Sequence, residues 1–497
     1  MHTSDTLLSS QVSAAISRSD LRRAWAAYCY RAFALSSLEV CMLASLVAVT
    51  ACSESSGGNA AAKGGVKANG GAAGATSTKF GGAAGATSTE FGGQAGAGSG
   101  GCPVATAGQP ASAVCAMPAK WVGAIVKPTP LVSLNKPVFT NSAEAVNKGL
   151  LVDGKYHGSG SVAFNPTATT TTWASINVGT GYTRLQLQWQ DVGFQDYGPS
   201  LYGSTDYKSA TSPTGYLIKT SANSTNGDDG TWTTVATVTD NEARARSHVF
   251  EFTDMGWVRF EVTAAPTVTT GEMRVVRIDE IELHDYSAIG PTDLADGWMI
   301  MGDSITKMSF DRSRGANEFD ELIAAAHSAY TPAVVEAGNG GEKITDALRH
   351  INTEQWLAYS EGLTFVTLAY GTNDSWGGTT PTAAGFKDTL SLVVEALVAA
   401  GRVPVLARIP FDTVSTSVPQ FNAVIDELQQ KYELPCGPDL YGLIAAHPEY
   451  IGATATVQPN CSVRWAGSDG VHPQSPAAKN AIQKAYADAL LPLYPGP

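Results

Sequence analysis

Charge is what this chain has least of. Only 15% of its 497 residues are charged, and 32 Lys and Arg face 45 Asp and Glu, for a net charge of -13. No run of Lys and Arg interleaves with aromatic residues, so a nucleic-acid partner, which needs clustered cations against phosphates, is not expected. Cysteine is sparse too. There are seven, none in a Cys-x-x-Cys pair or at the His spacing of a zinc site, which argues against a cysteine-bound metal. Long apolar runs are missing except near the N-terminus. A helical period is missing from about Ala119 to Ser287.

The N-terminal run is an address. Arg22, Arg23 and Arg31 precede a mostly apolar stretch from Ala32 to Ala51, which suits an export signal over residues 1–52. The small residues running into Cys52 resemble a bacterial lipobox, which implies cleavage before Cys52 and lipidation of its thiol. That would make the protein a membrane-anchored lipoprotein of the cell envelope, touching membrane only through the lipid. An ordinary signal peptide or a single membrane anchor are the alternatives. Residues 53–118 form a linker dominated by Gly, Ala, Ser and Thr, in which GGAAGATSTKF (Gly70 to Phe80) is followed by GGAAGATSTEF (Gly81 to Phe91). Two short copies without a hydrophobic face cannot build a solenoid, so this reads as a flexible tether. With Cys29, Cys41 and Cys52 assigned to the leader, four cysteines remain. The simplest of three connectivities pairs Cys102 with Cys115 and Cys436 with Cys461; free thiols are the alternative.

Residues 119–288 show alternating runs separated by turn clusters. Examples are Thr183 to Trp189, Gly215 to Lys219, Trp232 to Val238, Trp257 to Val262 and Val275 to Leu283. This is the pattern of an antiparallel β-sandwich. Trp173, Trp189 and Trp232 either stack on sugars or fill the core. The loop Asn226-Gly227-Asp228-Asp229-Gly230 either ligates a structural calcium or is a plain turn. After the short linker Ile289-Gly290-Pro291-Thr292 the period changes over residues 292–497. Strands are predicted at Met299–Met301, Ala333–Glu336, Thr364–Ala369 and Val403–Arg408. Helices are predicted near Glu318–Ser328, Lys343–Thr353, Ala383–Ala400, Val418–Tyr432 and Ser475–Leu490. Apolar strands alternating with amphipathic helices imply a parallel sheet covered on both faces, with ligands at the strand carboxyl ends.

Four stretches in this last region carry chemistry. Trp298 to Met301 is an apolar strand that delivers Gly302-Asp303-Ser304 to a sharp turn. Val334 to Ala337 breaks into Gly338-Asn339-Gly340-Gly341, whose backbone N–H groups can approach an anion. Phe365 to Ala369 runs into Tyr370-Gly371-Thr372-Asn373-Asp374. Near the C-terminus, Asp469-Gly470-Val471-His472 sets a carboxylate and an imidazole three residues apart. Trp376 walls a substrate pocket or packs, and Arg408 contacts substrate or pairs structurally.

In these four blocks the chain resembles the SGNH (GDSL-type) hydrolases, over roughly Gly297 to Leu491, about two fifths of its length. The resemblance implies a three-layer α/β/α domain and a serine esterase that needs no cofactor. Ser304 would be the nucleophile, His472 the general base and Asp469 its orienting acid. The Ser304 and Gly341 backbone N–H groups and the Asn373 amide would form the oxyanion hole. Glu336 departs from the pattern, since many relatives carry asparagine there. The preceding region resembles the galactose-binding-like (discoidin-like) jelly roll in Asn135-Lys136-Pro137-Val138, Asp229-Gly230-Thr231-Trp232 and Ile278 to Leu283. Together these imply deacetylation of an O-acetylated carbohydrate. A lipid-directed esterase or lysophospholipase, a thioesterase, an acyltransferase, and a surface carbohydrate-binding protein with an inactive hydrolase domain are the rivals.

Overall fold

The computed structural model describes residues 115–496 apart from 144–146, 156–160, 168, 192–210, 242, 267–274, 311–317, 354, 377–381, 458–462 and 468. Cys52, Cys102, Cys461 and the repeat-bearing tether lie outside the described residues. No helix among those described is long and apolar enough to cross a membrane.

The alternating segments form two antiparallel sheets. One runs β1 (Val138–Thr140), β3 (Thr172–Asn177), β8 (Trp257–Ala264), β5 (Gly215–Ser221), β6 (Thr233–Val238). The other runs β2 (Val162–Phe164), β9 (Val276–Asp285), β4 (Arg184–Asp191), β7 (Ala245–Glu251). Strand β4 shows how alternation sorts side chains. Leu185, Leu187 and Trp189 are fully buried in the core these strands share, where Trp189 meets Tyr216 edge-on at 5.4 Å. Burial of each such side chain contributes roughly 1.5–3 kcal/mol.

The opposite row of β4, Gln186, Gln188 and Gln190, is also almost inaccessible to water, at 0%, 1% and 2% exposure. Gln186 and Gln188 face the following α/β region. The Gln188 amide donates to the Val334 carbonyl at 3.3 Å, and the Tyr286 hydroxyl to the Gly362 carbonyl at 2.8 Å. The Ser247 hydroxyl donates to the Glu361 carbonyl, and the Arg246 guanidinium lies 4.3 Å from the Tyr359 ring centroid. Polar groups shut away from water must find such partners, or each loses about 1–3 kcal/mol of solvation without return.

From Gly297 the chain builds a five-stranded parallel sheet in the order β11 (Ala333–Gly338), β10 (Gly297–Gly302), β12 (Phe365–Ala369), β13 (Val403–Arg408), β14 (Cys436–Asp439). Its helices are α1 (Ser304–Ser309), α2 (Phe319–Ala326), α3 (Ile344–Asn352), α4 (Trp356–Tyr359), α5 (Thr372–Ser375), α6 (Ala383–Ala399), α7 (Val418–Lys431), α8 (Leu440–Ala446) and α9 (Pro476–Leu490). This is the expected three-layer α/β/α arrangement. Trp298, Met299, Ile300 and Met301 of β10 are all 0% exposed, as a central parallel strand requires. A hairpin of β15 (Ala453–Val457) and β16 (Val463–Gly467) precedes the last helix. The edge strand β14 was not expected, because Cys436-Gly437-Pro438-Asp439 reads as a turn. Pairing only with β13, it tolerates proline.

One expectation is corrected. Cys115 bonds to Cys436, 321 positions away with a Cα separation of 5.8 Å, in place of the local pairs Cys102–Cys115 and Cys436–Cys461. The physical reason is the path of residues 115–126, which run along the α/β region. The Cys436 N–H points at the Met117 sulfur at 3.5 Å, the Trp121 indole N–H donates to the Glu433 carbonyl at 2.7 Å, and the Ile125 N–H to the Leu493 carbonyl at 2.8 Å. Spatial approach of the two Cβ atoms decides a disulfide, and sequence spacing is silent about that path.

Candidate active site

Strand order fixes the site. Strand β10 lies between β11 and β12, so the turns that follow these three neighbours open at one end of the sheet. Ser304 is the first residue of α1, Gly341 lies in the turn after β11, and Asn373 lies in the short helix after β12. The turn after β10 is tight. A Cβ on Gly302 would stand 2.0 Å from the Thr306 hydroxyl oxygen, so only glycine lets α1 fold back this closely onto its own strand. The Asp303 carboxylate accepts the Ile305 N–H at 2.9 Å and caps α1. Gly371, at φ +129°, would press a Cβ to 2.2 Å from Ile409, so the turn that presents Asn373 also needs glycine.

His472 arrives from the loop between β16 and α9. Its Nε2 lies 2.8 Å from the Ser304 hydroxyl, and its Nδ1 lies 3.0 and 3.2 Å from the two Asp469 oxygens. A carboxylate can only accept, so Nδ1 carries the proton and Nε2 is left to accept from the serine. Asp469 is itself held by the Val471 and His472 N–H groups at 3.1 and 3.2 Å and by the Gln474 amide at 3.0 Å. The structure thus brings Ser304, His472 and Asp469 into one hydrogen-bonded line.

The two remaining turns are tied to each other. The Asn373 amide donates to the Glu342 carbonyl at 2.9 Å, and Asp374 accepts the Ile344 N–H at the start of α3 at 3.2 and 3.3 Å. The Asn339 N–H donates to the Gly302 carbonyl at 2.9 Å, linking the glycine turn to the serine turn. Burial pushes the Asp303 carboxyl up to about 7 and the Asp374 carboxyl up to about 6, each opposed by the N–H it accepts. Trp376 is half-buried, and its indole N–H lies 3.3 Å from the buried Asp412 carboxylate. Asp412 also accepts the Val414 and Ser415 N–H groups at 2.8 and 2.5 Å, which fixes that loop. Arg408 is occupied by Asp439 and Asp426 at 3.1 and 3.3 Å.

Sequence reasoning missed Glu342, Asp412 and Gln474. Glu342 left a faint signal, a lone acid directly after Gly340-Gly341; Asp412 and Gln474 left none beyond nearness to other candidates. In the sandwich, Trp189 is core, while Trp173 and Trp232 clamp the Arg259 guanidinium at 4.0 and 3.9 Å. Arg259 in turn donates to the Gly227 and Asp228 carbonyls at 2.6 and 3.2 Å, which pins the Asp- and Gly-rich loop to the sheet. The Asp229 carboxylate is consumed by that loop. It accepts from the Thr225 hydroxyl and N–H at 2.6 and 2.7 Å and from Ser224 and Asn226, and these bonds, Thr225 first, pull it down to about 2. The Asp229 carboxylate is thus turned onto donors of its own loop. No group of three or more His, Cys, Asp or Glu among the described residues is placed to hold a metal.

Residues 300–478 match the family model of the GDSL-like Lipase/Acylhydrolase family. Among solved structures, a lipase/acylhydrolase from Enterococcus faecalis is similar at 19% identity, over 39% of this chain and 95% of that one, with a TM-score of 0.29. An acetylxylan esterase from Geobacillus stearothermophilus is similar at 16% identity, over 39% and 93%, with a TM-score of 0.30. A chitosan-binding module from a Paenibacillus sp. IK-5 chitosanase/glucanase is similar at 20% identity, over 31% and 98%, with a TM-score of 0.22. No curated protein matches. The chain carries a GDSL (SGNH) hydrolase domain.

Proposed function

We propose that this GDSL-domain protein is a serine esterase that deacetylates an O-acetylated carbohydrate through an acyl-enzyme. The observation that carries the esterase reading is the line from the Ser304 hydroxyl through His472 to Asp469. The Ser304 oxygen attacks the ester carbonyl as its proton passes to His472 Nε2, and Asp469 stabilises the imidazolium that forms. The oxyanion is received by the Ser304 and Gly341 N–H groups and by the Asn373 amide. The tetrahedral adduct collapses as His472 returns the proton to the departing alkoxide. Water then attacks the acyl-serine with His472 as base, releasing acetate and restoring the hydroxyl.

The carbohydrate assignment rests on the jelly-roll resemblance and on the close seating of the sandwich against the hydrolase domain. We further propose export and lipidation at Cys52, supported by the leader's layout and by the Cys115–Cys436 bond, which persists in oxidising compartments. Acetate release from a panel of acetylated polysaccharides, beside short- and long-chain nitrophenyl esters, tests the function in wild type and Ser304→Ala. Ser304-dependent acetate release from a polysaccharide is the expected result. Preference for long-chain esters overturns the substrate, and absence of both turnover and labelling by a serine-directed phosphonate favours a binding protein.

A further inference from the structure

Glu342 is an acid placed where an esterase has least apparent use for one, immediately after the glycines expected to receive the oxyanion. It is 5% exposed. Its carboxylate is held from three sides. Oε1 lies 2.6 Å from the Asn339 amide nitrogen and 2.6 Å from His350 Nε2, and Oε2 accepts the Tyr370 hydroxyl at 3.2 Å. These partners come from the glycine turn itself, from α3 and from the end of β12. His350 is fully buried and stacks on Trp356 with ring centroids 3.6 Å apart, so it cannot swing away from the carboxylate.

The main chain of the same residue does a second job. The Asn373 amide has two N–H bonds, and one is committed to the Glu342 carbonyl. That bond fixes the plane of the amide and with it the direction of the second N–H. Stabilisation of an oxyanion depends on donors aimed before the charge appears, and a displacement of about 1 Å is enough to forfeit much of it. A turn anchored at Glu342 therefore sets two donors at once: the Gly341 N–H, one residue upstream, and the Asn373 amide, across the gap between β11 and β12.

We propose that Glu342 is a positioning residue for the oxyanion hole, with its carboxylate locked by His350, Tyr370 and Asn339 and its carbonyl orienting Asn373. The proposal rests on the esterase reading. Glu342 is buried and its carboxylate faces three protein partners, so its removal is expected to act on the rate of acyl transfer and on affinity for a tetrahedral adduct, with ground-state binding nearly unchanged.

The test uses the full chain with Glu342→Ala, Glu342→Gln and His350→Gln. Rates on nitrophenyl acetate are expressed per phosphonate-titrated active site, alongside inhibition by a trifluoromethyl ketone, which forms a tetrahedral adduct with the serine. Glu342→Ala is expected to lower kcat by about ten- to hundredfold with KM within about twofold, and to weaken the ketone by the same factor. Glu342→Gln keeps an oxygen for Asn339 and His350 and recovers most of the rate; His350→Gln falls between. If Glu342→Ala retains kcat per active site within about threefold, or loses kcat without weakening the ketone, the proposal is overturned. Should that variant not fold, a Glu342→Gln or His350→Gln enzyme whose ketone affinity does not follow kcat overturns it equally. A wild type with neither turnover nor labelling sinks the esterase reading itself, a result distinct from an active wild type indifferent to Glu342.

Discussion

The site end of the parallel sheet and the docking face of the sandwich are both polar surfaces built on strands, yet they use polarity in opposite ways. At the site, polar groups sit in turns beyond the strand ends, and Ser304, His472 and Asp469 keep partial access to solvent. On β4, Gln186, Gln188 and Gln190 sit in mid-strand and are closed off from water. The first arrangement leaves polar groups accessible at the strand ends; in the second, the Gln188 amide donates across the contact to the Val334 carbonyl. A polar residue's purpose follows from what covers it, which strand periodicity leaves open.

Substitutions can separate the two surfaces. The largest effect belongs to Ser304→Ala, expected to lower kcat by roughly ten-thousandfold or more while the thermal midpoint stays close to wild type. A wild-type rate in that variant would remove the site from the chemistry. Next, Asn373→Ala is expected to reduce kcat by about a hundred- to thousandfold, read by steady-state kinetics, with a smaller change in KM.

Asp303 stands between the two surfaces, buried like the glutamines yet adjoining the nucleophile. Burial raises its carboxyl to about 7, so the folded protein binds this proton more tightly than the unfolded chain does. Its contribution to stability is complete below the ordinary aspartate range near pH 4 and is lost as pH rises through about 7. Asp303→Asn keeps an acceptor for the Ile305 N–H and removes the titration. Urea unfolding at pH 4.5, 6 and 8 should therefore give a flatter stability profile for the variant, with a gain on the order of 2–4 kcal/mol at pH 8. Parallel profiles would mean that Asp303 is ionised in the fold. The smallest effect is at the docking face, where Tyr286→Phe removes the bond to the Gly362 carbonyl. It should lower stability by about 1 kcal/mol in denaturant titration and leave kcat unchanged.

What was legible in the sequence follows the same division. Apolar runs ending in Gly-Asp-Ser, in glycines and in Gly-Thr-Asn marked β10, β11 and β12, because a central parallel strand must be apolar on both faces and a strand-to-helix turn needs small residues. Those local rules reached the serine turn, the glycine turn and the amide after β12; the resemblance to the SGNH hydrolases singled out Ser304, Gly341 and Asn373 within them. They did not reach β14, whose Cys-Gly-Pro-Asp has no strand signature, nor Glu342 and Gln474, whose roles exist only through partners on other turns. The Cys115–Cys436 bond was illegible for the same reason: it records where a segment runs, and that path is a tertiary property.

That bond has a mechanical consequence. A pull on the chain at Cys115 passes through the sulfur pair straight into Cys436 of the edge strand, and the 320 residues between them are bypassed. The sandwich and the strands that precede Ser304, Gly341 and Asn373 lie inside that closed ring, off the covalent path of such a pull. A load entering from the segment before Cys115 and resisted beyond Cys436 therefore meets the edge strand first, with the sandwich left out of its covalent path.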